Sequence, residues 1–258
     1  EGLLIRYGDL TYKPGKEVSQ SRDLSSSHRT VRIVMQHLQV RFAKLAATQP
    51  ELIQEASQAL WDSEITEMRT LASVLIGSLP PEFTSVTYRQ LALWAAPELE
   101  SVQLRGLFEA GTKNLRGADP ARWINQIRQW LSGSEPSFQR LGLLALTELA
   151  HDDSFENLPA IFNATADILA MPLKDLSNEI RRLVSALGAR SPIETSYILR
   201  QAITNSHSPQ IVRIVRRILP ELPSEQQETL RKALSTAQSD DQSPSGLETE
   251  LGKLEYQD

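Results

Sequence analysis

From about His28 to Ser235 apolar residues recur every three or four positions, as in Leu71, Val74 and Leu75, or Leu143, Leu146 and Leu149. That is the period of amphipathic α-helices. No stretch alternates apolar and polar residues for long enough to require a strand. Turn signals cut the helical run at Gln49-Pro50, Pro80-Pro81, Pro97, Asp119-Pro120, Pro136, Pro159, Pro172, Ser191-Pro192, Pro209, Pro220 and Pro223. Proline is favoured in the first turn of a helix and poorly tolerated further in, so this spacing predicts many short helices. Residues 1–27, with Tyr7, Gly8, Tyr12, Pro14, Gly15 and a serine cluster, lack a sustained period and read as an irregular N-terminal arm. Residues 236–258 read as a polar, acidic C-terminal tail.

A second, longer period runs through the helical part. Arg32, Arg69, Arg105, Arg140, Arg182 and Arg216 are separated by 37, 36, 35, 42 and 34 residues, and small or apolar residues follow each of them. The clearest pair is "WDSEITEMRTLASVLIGSL" from Trp61 and "WLSGSEPSFQRLGLLALTEL" from Trp130, each running from a tryptophan through a serine-and-glutamate turn to arginine and an apolar helix. Two helices per unit of this length is the signature of a HEAT-like, armadillo-like array, because one helical hairpin cannot hide its apolar face alone. The expected fold is therefore all-α, a right-handed α-solenoid superhelix of about six helical hairpins over residues 28–235. The repeated arginine has a structural reading, in which it bonds turn carbonyls or a preceding glutamate and locks its hairpin. It also has a functional one, as a row of cations.

Composition narrows the function classes. The chain of 258 residues is 40% hydrophobic and 23% charged, which suits a globular protein. It has no cysteine, so disulfides, zinc ribbons and thiol nucleophiles are excluded, and the cytoplasm is the default expectation. No apolar stretch approaches the roughly 20 residues of a membrane span, and no signal-peptide pattern opens the chain. His28, His37, His151 and His207 are scattered, so no metal is expected. No phosphate-binding glycine loop or nucleophile elbow is present, and no cofactor is implied.

Charge is more informative than its total of -5. Arg181 to Arg217 holds seven arginines (181, 182, 190, 200, 213, 216 and 217) against Glu194 alone, a local charge of +6, whereas Pro50 to Leu104 holds eight acids and two arginines, or -6. Guanidinium groups match phosphate oxygens bidentately. They match carboxylates of an acidic partner protein equally well.

The stretches Leu60–Leu79, Trp130–Leu149, "ARSPIETSYILRQ" and "RRILPELPSEQQ" resemble the DNA alkylation repair proteins of the alkylpurine glycosylase type, over roughly residues 30 to 235. The resemblance implies a HEAT-like solenoid holding duplex DNA on a basic concave face. Its glycosylases place a carboxylate four residues after a tryptophan, an arginine that contacts the DNA backbone on a later helix, and further tryptophans along the cleft. In this sequence Trp94 takes the first tryptophan position and Glu98 stands where the family has aspartate. Arg140 matches the arginine, and Val184 or Ser185 falls where a later tryptophan belongs. The implied catalytic residue is thus Glu98, and the implied DNA contacts are Trp94, Trp130, Arg140, Arg181, Arg182, Arg213, Arg216 and Arg217. Two alternatives stay open: Glu98 as a carboxylate at a helix N-terminus, and Trp123 and Trp130 as packing between repeats.

Overall fold

The computed structural model describes residues 32–63, 65–170, 175–206 and 208–241. The arm expected at 1–27 and the tail beyond 241 lie outside the described residues. Among the described residues every regular element is helical. The elements are α1 (Arg32–Thr48), α2 (Pro50–Trp61), α3 (Thr66–Gly77), α4 (Thr84–Trp94), α5 (Ser101–Gly106), α6 (Lys113–Ala118), α7 (Pro120–Ser132), α8 (Pro136–His151), α9 (Leu158–Ala170), α10 (Ser177–Arg190), α11 (Pro192–Ser206), α12 (Pro209–Ile218) and α13 (Ser224–Asp241). A π-helical turn, Leu107–Gly111, continues α5, and α13 runs past the expected end of the helical region at Ser235.

Proline punctuation sets the boundaries. Pro50, Pro120, Pro136, Pro192 and Pro209 each occupy the first position of a helix, where the missing N–H costs nothing and the fixed φ suits the helix. Asp119 adds a side-chain cap to α7, accepting from the Arg122 backbone N–H at 3.1 Å.

The structure falls into two compact units, Glu1–Ile161 and Phe162–Asp258. In the first unit α2 and α3 pack as a hairpin, as do α7 and α8. Alternate helices also stack, with α1 on α3, α3 on α5 and its π turn, and these on α8. In the second unit α10 packs on α11 and α12, and α11 packs on α13.

The first unit's core is aromatic. Trp61 and Trp94 stack at 4.4 Å with an 8° interplanar angle, while Phe108, Trp123 and Trp130 form a three-ring cluster with centroids 5.6–5.8 Å apart. Helix α8 is apolar nearly all round, with Leu141 through Thr147 buried, as befits a helix packed on several sides. Two glycines let helices touch. A Cβ on Gly77 would lie 1.9 Å from the Ala110 carbonyl oxygen, and one on Gly142 would lie 2.6 Å from Leu131 Cγ. The second unit, which holds no tryptophan, is closed by Ile, Leu and Val side chains such as Leu183, Leu199, Ile203, Ile214 and Ile218.

Candidate nucleic-acid interface

The repeated arginines fall on α1, α3, α5 and α8 in the first unit and on α10 and α12 in the second. Their surroundings differ. Arg69 Nε donates to the carbonyls of Trp61 at 3.2 Å and Ser63 at 3.0 Å, and its guanidinium lies 5.6 Å from the Trp61 ring centroid. This is the hairpin-locking role. Arg105 Nε reaches the Ser101 carbonyl at 3.4 Å, and Arg140 Nη2 donates to Ser101 Oγ at 2.6 Å, tying α8 to the start of α5. Arg32 opens α1, and its side chain lies outside the described set.

In the second unit the arrangement opens outward. Helix α12 buries Ile211, Ile214, Val215 and Ile218 at i, i+3, i+4 and i+7, so Arg213, Arg216 and Arg217 take the opposite, exposed face. No acid occurs in α12. Arg216 and Arg217 stand in its last turn, where cations complement the macrodipole by a few tenths of a kcal/mol. That accounts for their position but not for Arg213, nor for Arg182, exposed on the neighbouring α10. Arg181 is partly buried and pairs with Glu221 at 3.5 Å, while Glu221 Oε2 also accepts from the Ser185 hydroxyl. On α11 the Arg200 guanidinium lies 5.6 Å from the exposed Tyr197 ring centroid.

Of the residues implied by the family resemblance, Trp94, Glu98, Trp130 and Arg140 belong to the first unit and the remaining arginines to the second. Trp94 is only 3% exposed and stacked on Trp61, and its indole N–H has no acceptor among the described residues. Trp130 is 8% exposed, with its ring against Trp123 and Phe108. Both rings therefore pack inside the first unit and not on its surface, where the resemblance would place them. Glu98 is exposed in the turn between α4 and α5, before the Glu100 N-cap, so it is not within the first turn of a helix. Val184 is buried and Ser185 carries a hydroxyl bonded to Glu221, so no aromatic stands at the later tryptophan's position.

A polar cluster in the first unit has no counterpart in the sequence reading. The π turn leaves carbonyls that ordinary helical bonds do not reach, and Arg116 Nη1 caps them, bonding Phe108 O at 2.8 Å and Glu109 O at 2.9 Å. Its Nε lies 2.7 Å from Asp152 Oδ2. Burial opposes ionisation of Asp152, but the Ser154 hydroxyl and the Arg116 charge outweigh it and hold the carboxyl below its usual range. Glu148 has the opposite fate: burial, reinforced by the Glu109 charge and only partly offset by Arg105 and Arg116, pushes it up to about 7. The signal available in sequence was a lone glutamate inside the apolar run "LLALTELA"; its neighbours come from distant positions.

Among the described residues no group of three or more His, Cys, Asp or Glu could hold a metal ion, and no helix is long and apolar enough to cross a membrane. No family model, curated protein or solved structure matches the chain.

Proposed function

We propose that this chain is a helical-repeat protein, its hairpins stacked within each unit in the manner of a HEAT-like α-solenoid, that binds the phosphate backbone of duplex DNA. The stacking of α1, α3, α5 and α8 and the arginines that recur on them support the solenoid reading. The observation that carries the DNA reading is the exposed row Arg213, Arg216 and Arg217 on α12, with Arg182 also exposed on α10, which packs on α12, and no acid in α12. Planar guanidinium groups on one helix face, roughly 5–6 Å apart at Cβ for neighbours three or four residues apart, offer successive bidentate contacts to phosphates. Recognition without base excision is the activity proposed. Glu98 stands exposed in a turn while Trp94 turns inward, so carboxylate and ring do not face one substrate.

Anisotropy of a labelled duplex between 50 and 200 mM salt tests the binding. If three phosphates are neutralised, log K against log salt slopes by about -2.7, at roughly -0.9 per phosphate. Duplex carrying a cationic alkylpurine should release no free base with the native protein or with Glu98→Gln. Robust native release abolished by Glu98→Gln would restore the enzyme reading. A second reading, an acidic protein partner, is favoured by α11, where Ile193 and Tyr197 are 66% and 51% exposed beside Arg200. An exposed aromatic flanked by arginine is the type of anchor protein interfaces use. Duplex affinity undetectable at 50 mM salt transfers the proposal to that partner.

A further inference from the structure

We propose that the acidic C-terminal segment, residues 240–258, seats on the arginine face of α10 and α12 and competes there with incoming polyanions. The inference rests on reading that face as an anion-binding surface. The segment carries six acids (Asp240, Asp241, Glu248, Glu250, Glu255 and Asp258) against Lys253, a net charge of -5. The face opposite it in charge is Arg182, Arg213, Arg216 and Arg217, all exposed, with Glu179 the one acid on α10 and none on α12. The structure already seats one carboxylate at the edge of this surface. Glu221, in the turn after α12, lies 3.5 Å from Arg181 and also accepts from Ser185. A carboxylate can therefore be held here by a guanidinium and a hydroxyl together, and the remaining arginines of the face have no such partner among the described residues.

Tethering makes the contact effective. Helix α13 ends at Asp241 and belongs to the same unit as α10 and α12. The 17 residues from 242 to 258 can span up to about 55–60 Å at roughly 3.3–3.6 Å each. Helix α13 itself, at 18 residues, is only about 27 Å long, so reach does not limit return to α12. A tether of this length gives an effective concentration on the order of 1 mM. A segment with intrinsic affinity near 100 μM then occupies its site about ten times as often as not, which weakens any competing ligand about tenfold. Short or weakly charged anions are thereby excluded. A duplex releases counterions on binding and displaces the segment. The segment thus raises selectivity for long polyanions rather than abolishing binding.

The test uses the full chain with the six acids converted to amides (D240N, D241N, E248Q, E250Q, E255Q and D258N), beside the native chain. Circular dichroism confirms equal helicity. A fluorescent peptide of residues 240–258 serves as probe at 50 mM salt. The peptide should bind the amide variant, bind the native chain at least fivefold more weakly, and lose binding when Arg213, Arg216 and Arg217 are also changed to Gln. Equal binding to native and amide chains, or no binding to either, overturns the inference. A labelled duplex then separates this claim from the one beneath it. Duplex bound about tenfold more tightly by the amide variant supports both. Peptide competition without duplex binding leaves the segment on its face and removes only the DNA reading. Duplex bound equally by both chains without peptide binding removes the segment and keeps the DNA reading.

Discussion

Arg69 and Arg216 occupy the same place in the sequence repeat and do opposite work. In the first unit Arg69 is spent on two turn carbonyls and the face of Trp61, and Arg140 on Ser101. In the second unit Arg216, with Arg182, Arg213 and Arg217, faces solvent. The two cores differ in step: the first holds all four tryptophans, while the second is mostly aliphatic with Phe162 and leaves Arg182, Arg213, Arg216 and Arg217 exposed. The repeated residue type does not mark one backbone position, since Arg69 stands in the first turn of α3 and Arg216 in the last turn of α12, and the neighbours of each decide whether its donors are spent within the fold. An arginine held by carbonyls has little to offer a phosphate; one with no acid on its helix has all its donors available.

The comparison breaks most severely at the helix contacts of the first unit. Gly77→Ala sets a methyl against the Ala110 carbonyl oxygen and should destabilise the first unit by about 3 kcal/mol or more, since backbone rather than a flexible side chain must yield. All four tryptophans belong to that unit, so urea unfolding followed by tryptophan fluorescence reads it directly. An unchanged midpoint would show that α3 and the π turn do not approach as described.

The next effect is a pH dependence confined to the first unit. Glu148 is raised to about 7 in the fold and falls back to the ordinary glutamate range near 4.3 on unfolding. The native state therefore binds the extra proton, so stability is fully present below about pH 4.3 and is lost as pH rises through 7. Glu148→Gln should remove that loss, gaining about 1–2 kcal/mol at pH 8 after allowance for partial exposure, and almost nothing at pH 4. Urea midpoints of both proteins across this range check the sign. The smallest effect is the most specific. Arg69→Met should cost about 1–2 kcal/mol by leaving turn carbonyls without a donor, whereas Arg216→Met should change stability by less than about 0.5 kcal/mol. Equal costs would erase the distinction between the two units.

Much of this organisation is legible along the chain. Proline places helix starts at Pro50, Pro120, Pro136, Pro192 and Pro209, because that signal is local and backbone-bound. The amphipathic α12 is legible for the same reason. What spacing cannot carry is the fate of a side chain across the fold. Trp94 looks like a cleft residue until Trp61 is seen stacked on it, and Glu148 is shifted by burial and by Glu109, which no spacing along the chain places beside it. The division at Ile161 and Phe162 falls inside the longest gap of the arginine period, the 42 residues from Arg140 to Arg182, but a longer gap alone does not mark a boundary.

The most direct test of the account measures duplex affinity against salt for three proteins: native, Arg213→Ala with Arg217→Ala, and Arg69→Met. The account predicts that removing the two α12 arginines makes the log–log slope shallower by about 1.8, at roughly 0.9 for each phosphate no longer neutralised. Arg69→Met should keep the native slope while lowering stability. A native slope in the α12 double variant, or an equal reduction of slope in Arg69→Met, would contradict the claim that the arginines of the second unit, and not those of the first, hold the polyanion.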